Sequence, residues 1–204
     1  NRNFYNKSDS QDGGITSLPF LRDKGKIEKG QKVLIIGASG SVGSFGVTLA
    51  KHYGANVTGV CSTLNTELVQ KHGCDEVIDY KKIDYTKLDN EYDIIYDAVG
   101  KSSFASCKKI LTKEGRYLST VPTIGVMFKS LFVKEQKGKK NMFAATGLRK
   151  PLQKHEDLEL LENLLIQGKI KPLIDKEYPI SEMIFAQKYV ESGHKKGNVL
   201  IKIN

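Results

Sequence analysis

Tryptophan is absent and cysteine is scarce: Cys61, Cys74 and Cys107 are widely spaced, with no CxxC pair among them. That excludes a disulfide framework and leaves too few thiolates for a structural zinc site. The histidines, His52, His72, His155 and His194, form neither HExxH nor any other ligand spacing, so no metal is expected in this chain, zinc included. No apolar run approaches the roughly 18 residues that span a bilayer, and the first residues lack an apolar signal-peptide core. These absences set the expectation of a cytoplasmic protein with no membrane contact. There is no internal repeat and no low-complexity segment.

What is present suits a globular chain. Its 204 residues are 39% hydrophobic and 27% charged, enough to bury a sizeable core. The formal charge is +9, with lysine densest at Lys134 to Lys140 and at Lys195 and Lys196. No aromatic interleaving or nucleic-acid motif accompanies this charge, so it reads as a solvated basic surface. Such a surface attracts small anions; no nucleic-acid partner is expected.

Asn1 to Asp12 is polar and without periodicity, an irregular lead-in. Ile15 to Arg22 has helical character compromised by Pro19. Then a regular alternation begins. Strands are expected at Val33–Ile36, Asn56–Val60, Glu76–Ile78, Asp93–Tyr96 and Arg116–Ser119, with a sixth at Asn141–Ala145. Helices are expected between them at Ser41–Tyr53, Thr66–His72 and Ser102–Leu111, and at Gly125–Glu135. His155–Gln167 carries Leu158, Leu161, Leu164 and Leu165 at helical spacing and stops at Gly168. Strands at Leu173–Tyr178 and Val199–Ile203 flank a last helix, Glu182–Glu191. Alternation of this kind indicates βαβ units, hence an α/β fold of Rossmann-like type with a doubly wound parallel sheet. The organisation expected is a lead-in over 1–14, a dinucleotide-binding domain over 15–168 and a C-terminal helix with return strands over 169–204.

Gly37-Ala38-Ser39-Gly40-Ser41-Val42-Gly43 lies between the first strand and the first long helix. A dinucleotide diphosphate needs backbone N–H groups at a helix start and no side chains in the way. Gly40 admits the phosphates and Gly43 lets the helix lie against the strand, while Ala38 fills the slot of the first glycine of GxGxxG. Context gives this short motif its force, because it follows a buried strand and opens a helix. The second strand ends Cys61-Ser62-Thr63, without the acid that bonds a ribose 2′-hydroxyl in NAD binders. Ser62 and Thr63 can donate to a 2′-phosphate, which favours NADPH over NADH, although the same hydroxyls could cap a helix.

Gly30 to Gly43, Tyr92 to Gly100, Gly115 to Ser119 and Gly193 to Val199, in that order, resemble the zinc-independent quinone oxidoreductase and zeta-crystallin branch of the medium-chain dehydrogenase/reductase superfamily. The resemblance runs from about Gly13 to the C-terminus. It implies a nicotinamide cofactor held by Gly40, Ser41, Val42 and Gly43, by Cys61, Ser62 and Thr63, by Tyr80 along the 2′-phosphate, and by Asp97, Val99 and Ser119 at the nicotinamide end. It also implies a catalytic domain preceding this one, which the C-terminal strands would join, and a small-molecule substrate between the two. Hydride transfer to quinones or activated carbonyl or alkene compounds follows, with no proton-transferring side chain assigned here. A homodimer through the edge near Asn141 to Ala145 is implied as well. Ser41 stands where the family usually has glycine, Thr48 where it often has glutamine, and Leu64 where close relatives carry a basic residue aimed at the 2′-phosphate.

Two other readings remain open. One is a nucleotide-binding module without turnover. The other is a short-chain or NmrA-like Rossmann protein, against which stands the absence of any Tyr-x-x-x-Lys.

Overall fold

A computed structural model describes residues 13–121, 134–136, 138–143 and 149–203. The lead-in over 1–12 and the segments 122–133 and 144–148 lie outside the described residues, and with them most of the helix expected at Gly125–Glu135 and the end of the expected sixth strand.

The strands are β1 (Lys32–Ile36), β2 (Asn56–Cys61), β3 (Glu76–Asp79), β4 (Tyr92–Asp97), β5 (Leu111–Ser119), β6 (Lys134–Gln136), β7 (Lys139–Phe143), β8 (Ile174–Pro179) and β9 (Asn198–Lys202). The α-helices are α1 (Ile15–Pro19), α2 (Ser41–His52), α3 (Thr66–Lys71), α4 (Phe104–Cys107), α5 (Pro151–Ile166) and α6 (Met183–Glu191). Seven strands form one sheet in the order β3-β2-β1-β4-β5-β7-β6. Every pair in it is parallel except β6 with β7. This is the doubly wound order the sequence predicts, with β1 and β4 at the point where the winding reverses.

A parallel sheet must be covered on both faces, and β1 shows how its residues meet that demand. Val33 and Ile35 point into one apolar cluster with Phe45, Leu49 and the α5 leucines Leu161, Leu164 and Leu165. Leu34 and Ile36 point into the opposite cluster with Ile95, Phe104, Ile110 and Tyr117. The four β1 side chains are buried.

Several boundaries differ from expectation for identifiable reasons. Pro19 ends α1, and the chain continues as a wider π-type turn over Phe20–Lys24. The helix expected at Ser102–Leu111 shrinks to α4 because Ser103 caps it late in a box with Ser106, and Leu111 already pairs with Tyr92 in the sheet. α5 begins at Pro151, four residues earlier than its leucine spacing indicates, since proline suits the first helical position. Lys134 and Glu135, expected in a helix, are strand β6. That strand covers β7, so the sheet edge expected near Asn141 is Lys134–Gln136 instead.

β8 and β9 form a separate two-stranded parallel sheet joined through α6. It does not hang free. Gly197 N–H donates to Ser39 C=O at 2.8 Å, the Ser41 hydroxyl donates to Asn198 Oδ1, and Gly40 and Gly197 form a parallel bridge. On the far side, buried Asp157 of α5 accepts from Arg22 and Arg149 at 2.8 and 2.9 Å, tying that helix to the π-type turn.

Two contacts set the shape of the sheet's C-terminal end. A Cβ on Gly43 would lie 2.1 Å from the Gly37 carbonyl oxygen, so only a bare α-carbon lets α2 rest on the turn. Asp97, fully buried, accepts the Val99 and Gly100 amides on Oδ1 and the Ser102 amide and Tyr117 hydroxyl on Oδ2, at 2.8 to 3.1 Å. Burial and that carboxylate push the Tyr117 hydroxyl pKa far up. Gly43→Ala is expected to cost about 2 kcal/mol through overpacking. Asp97→Asn, which turns an amide toward two donors, is expected to cost about 1 to 3 kcal/mol. Denaturant midpoints check both; wild-type values would remove the role given to either contact.

Candidate functional site

At the turn between β1 and α2, Gly37 has φ +82° and its N–H and that of Ala38 both donate to Val60 C=O. Gly40 precedes α2 in an extended conformation, and no side chain caps the helix. The first helical bond runs from Ser44 N–H to Gly40 C=O at 2.9 Å. The amides of Ser41, Val42 and Gly43 are therefore the orphan donors of this helix start, where the dipole also favours an anion. A Cβ on Gly40 would meet nothing closer than 3.5 Å, so the space in front of it is open.

That space belongs to a cleft of about 1090 Å³. Its walls are the glycine turn (Gly37, Ser39, Gly40), the end of β2 with the turn after it (Cys61, Ser62, Leu64, Asn65), the loop after β3 (Tyr80 to Tyr85), Val99 and Lys101 beyond β4, and Gly193 to Lys196. Lysines outnumber carboxylates along it, which suits an anionic ligand.

Of the residues expected at the site, Gly40, Cys61, Ser62, Tyr80 and Val99 line the cleft. Ser41 and Gly43 stand at the helix start behind Gly40, whereas the Val42 side chain packs against the core and its carbonyl accepts the Ser17 hydroxyl at 2.8 Å. Thr63, Asp97 and Ser119 are not in the cleft wall. Thr63 is one of the groups that hold the Asp79 carboxyl low, Asp97 is surrounded by its four donors, and the Ser119 hydroxyl donates to Val121 C=O at 3.1 Å. Burial, then the Asp79 charge, pushes the Cys61 thiol up to about 11, so it stays protonated at neutral pH and offers no nucleophile.

Ser62 does not cap the following turn with its side chain. Its hydroxyl oxygen accepts instead from Asn65 Nδ2 at 3.3 Å, and the same amide donates to Ser39 Oγ at 3.1 Å. Asn65 thus ties the glycine turn to the end of β2, with both hydroxyl oxygens serving as acceptors. Asn65 and the pair Lys81 and Lys82 were not anticipated from the sequence. The only hint of the lysines is their place directly after Tyr80. Burial works to raise the Asp79 carboxyl, but Thr63, the Lys81 amide and the ammonium groups of Lys82 and Lys81 outweigh it and hold it below the usual carboxylate range. Among the described residues, no three His, Cys, Asp or Glu side chains converge on a metal position.

Residues 72–201 match the family described as zinc-binding dehydrogenase. A chloroplast envelope quinone oxidoreductase homolog from Arabidopsis thaliana is 29% identical over 93% of this chain and 59% of its own length. The mitochondrial NAD(P)H oxidoreductase RTN4IP1 of Mus musculus is 32% identical over 93% of this chain and 52% of its own. The chain therefore spans a little over half the length of these relatives. Their organelle designations lend no support to the cytoplasmic location expected above. In fold, the quinone oxidoreductase of Coxiella burnetii superposes with a TM-score of 0.76 at 24% identity, over 95% of this chain and 59% of that one. A nucleotide-ready helix start, the doubly wound order and these matches agree: the chain belongs to the zinc-binding dehydrogenase family and, within the medium-chain dehydrogenase/reductase superfamily, to its quinone oxidoreductase branch.

Proposed function

We propose that this chain is the NADPH-holding part of an oxidoreductase that reduces quinones or activated carbonyl or alkene compounds by hydride transfer, and that turnover needs the rest of a longer protein. The observation that carries the reading is the set of orphan amides at Ser41, Val42 and Gly43, opening beside Gly40 onto a cleft that is lined from Tyr80 after β3 to Val99 after β4. When bound there, the cofactor supplies the hydride, and the protein supplies position and a dry surround.

This chain's residues take distinct parts. The helix start holds the diphosphate. Ser62, whose oxygen already accepts from Asn65, turns its O–H toward the adenosine ribose, and no carboxylate at the end of β2 opposes a 2′-phosphate there. Tyr80, 49% exposed, offers its ring as a wall for the adenosine. Val99 closes over Gly37, where a Cβ would lie 2.5 Å from Val99 Cγ1. No metal step is assigned to this chain.

Incompleteness has its own support. The exposed apolar side chains Met183, Ile184 and Phe185 at the start of α6, 55 to 68% accessible, fit a surface covered by further protein. The absence of tryptophan makes NADPH fluorescence a clean binding signal. Titration is expected to give tighter binding of NADPH than NADH, and no oxidation of NADPH by phenanthrenequinone with this chain alone. Failure to bind either nucleotide would end the proposal. Quinone turnover by this chain would contradict its need for the missing part.

A further inference from the structure

We propose that Lys81 is the cation that selects a 2′-phosphorylated adenine nucleotide, with Lys82 balancing the one buried carboxylate nearby; this rests on the nucleotide reading above.

The residue after Thr63 is Leu64, 87% exposed, so the turn leaving β2 brings no charge of its own to the cleft. The loop after β3 does. β3 runs parallel to β2 with Asp79 opposite Cys61, so the residues following Asp79 emerge beside Ser62. Tyr80, Lys81 and Lys82 line the same cleft as Ser62 and Asn65. Lys81 Nζ stands 5.3 Å from the centre of the Tyr80 ring, which orients the ammonium along the wall expected to flank the adenosine.

Asp79 would spoil such a site if its charge faced the ligand. It is 8% exposed and is absent from the cleft wall. Its Oδ1 accepts the Lys81 amide at 3.0 Å, fixing the backbone from which the Lys81 side chain departs. Its Oδ2 is buried without a hydrogen-bond donor, and Lys82 Nζ lies 3.8 Å away. Lys82 is therefore drawn toward Asp79, whereas among the described residues Lys81 Nζ has no carboxylate within ion-pair distance and is the ammonium better placed to meet a ligand. The acid that does line the wall, Asp84, accepts the Thr86 amide and hydroxyl at 3.1 and 2.6 Å and pairs with Lys87. Of the remaining cleft lysines, Lys101 follows the end of β4, and Lys195 and Lys196 belong to the loop docked on the glycine turn, at the diphosphate end.

A 2′-phosphate carries nearly two negative charges in place of a neutral hydroxyl, so losing its one committed cation should weaken that nucleotide selectively. The test compares adenosine 2′,5′-bisphosphate with 5′-AMP by calorimetry on the whole chain, for the parent, Lys81→Gln, Lys81→Arg and the charge control Lys113→Gln in β5. Expected is a loss of about tenfold or more for the bisphosphate with Lys81→Gln, a change under about twofold for 5′-AMP, near-parent binding with Lys81→Arg, and parent binding with Lys113→Gln. An equal loss for both nucleotides, or no loss for either, would overturn the assignment of Lys81 while leaving the nucleotide site in place. A parent chain that binds neither nucleotide would overturn the site itself.

Discussion

Because Gly43 has no side chain, the first turn of α2 rests directly against the carbonyl of Gly37, and that contact governs what this protein can hold. It brings the helix start close over the end of β1, so that three amides without helical partners open toward the reversal point of the sheet rather than into bulk solvent. With a larger residue the helix would lift away, and the donors would lose their convergence. The apolar stacking of β1 between two core layers gives the turn a rigid base, since its four apolar side chains are fixed from both faces.

The second feature that depends on this turn is the C-terminal sheet. Gly197, at φ +66°, approaches Leu173 so closely that a Cβ would lie 2.2 Å from its carbonyl oxygen. That approach lets the chain bridge Gly40 and lets Asn198 take the Ser41 hydroxyl. The strands expected to return to further protein are thereby fastened to the nucleotide turn itself. A ligand at the helix start would therefore press on the same few residues that fasten β9 to the turn.

Much of this was legible in the sequence because it rests on local periodicity. Alternating β-branched strands, amphipathic α5 and the spacing of Gly37, Gly40 and Gly43 announce a doubly wound fold and where its ligand lies. Less legible were features made by residues far apart in the chain. Asn65 matters because its amide spans Ser39 and Ser62, which no spacing reveals. Asp97 sits at a strand end where ligand contacts are expected, yet four donors from its own neighbourhood enclose it, and only the fold shows them. Lys81 lies after a strand too short to fix its own register, so its neighbour Ser62 becomes visible only through the pairing of β3 with β2. Lys134 and Glu135 read as helical by composition but pair as a strand, where sheet hydrogen bonding overrides propensity.

The central claim is that a dinucleotide diphosphate is held by the backbone at the start of α2. Amide shifts of the nitrogen-labelled chain during NADPH titration test it residue by residue. The account predicts that the Ser41, Val42 and Gly43 amides move furthest and saturate together with Gly40. Saturable binding that leaves those amides unmoved would contradict it.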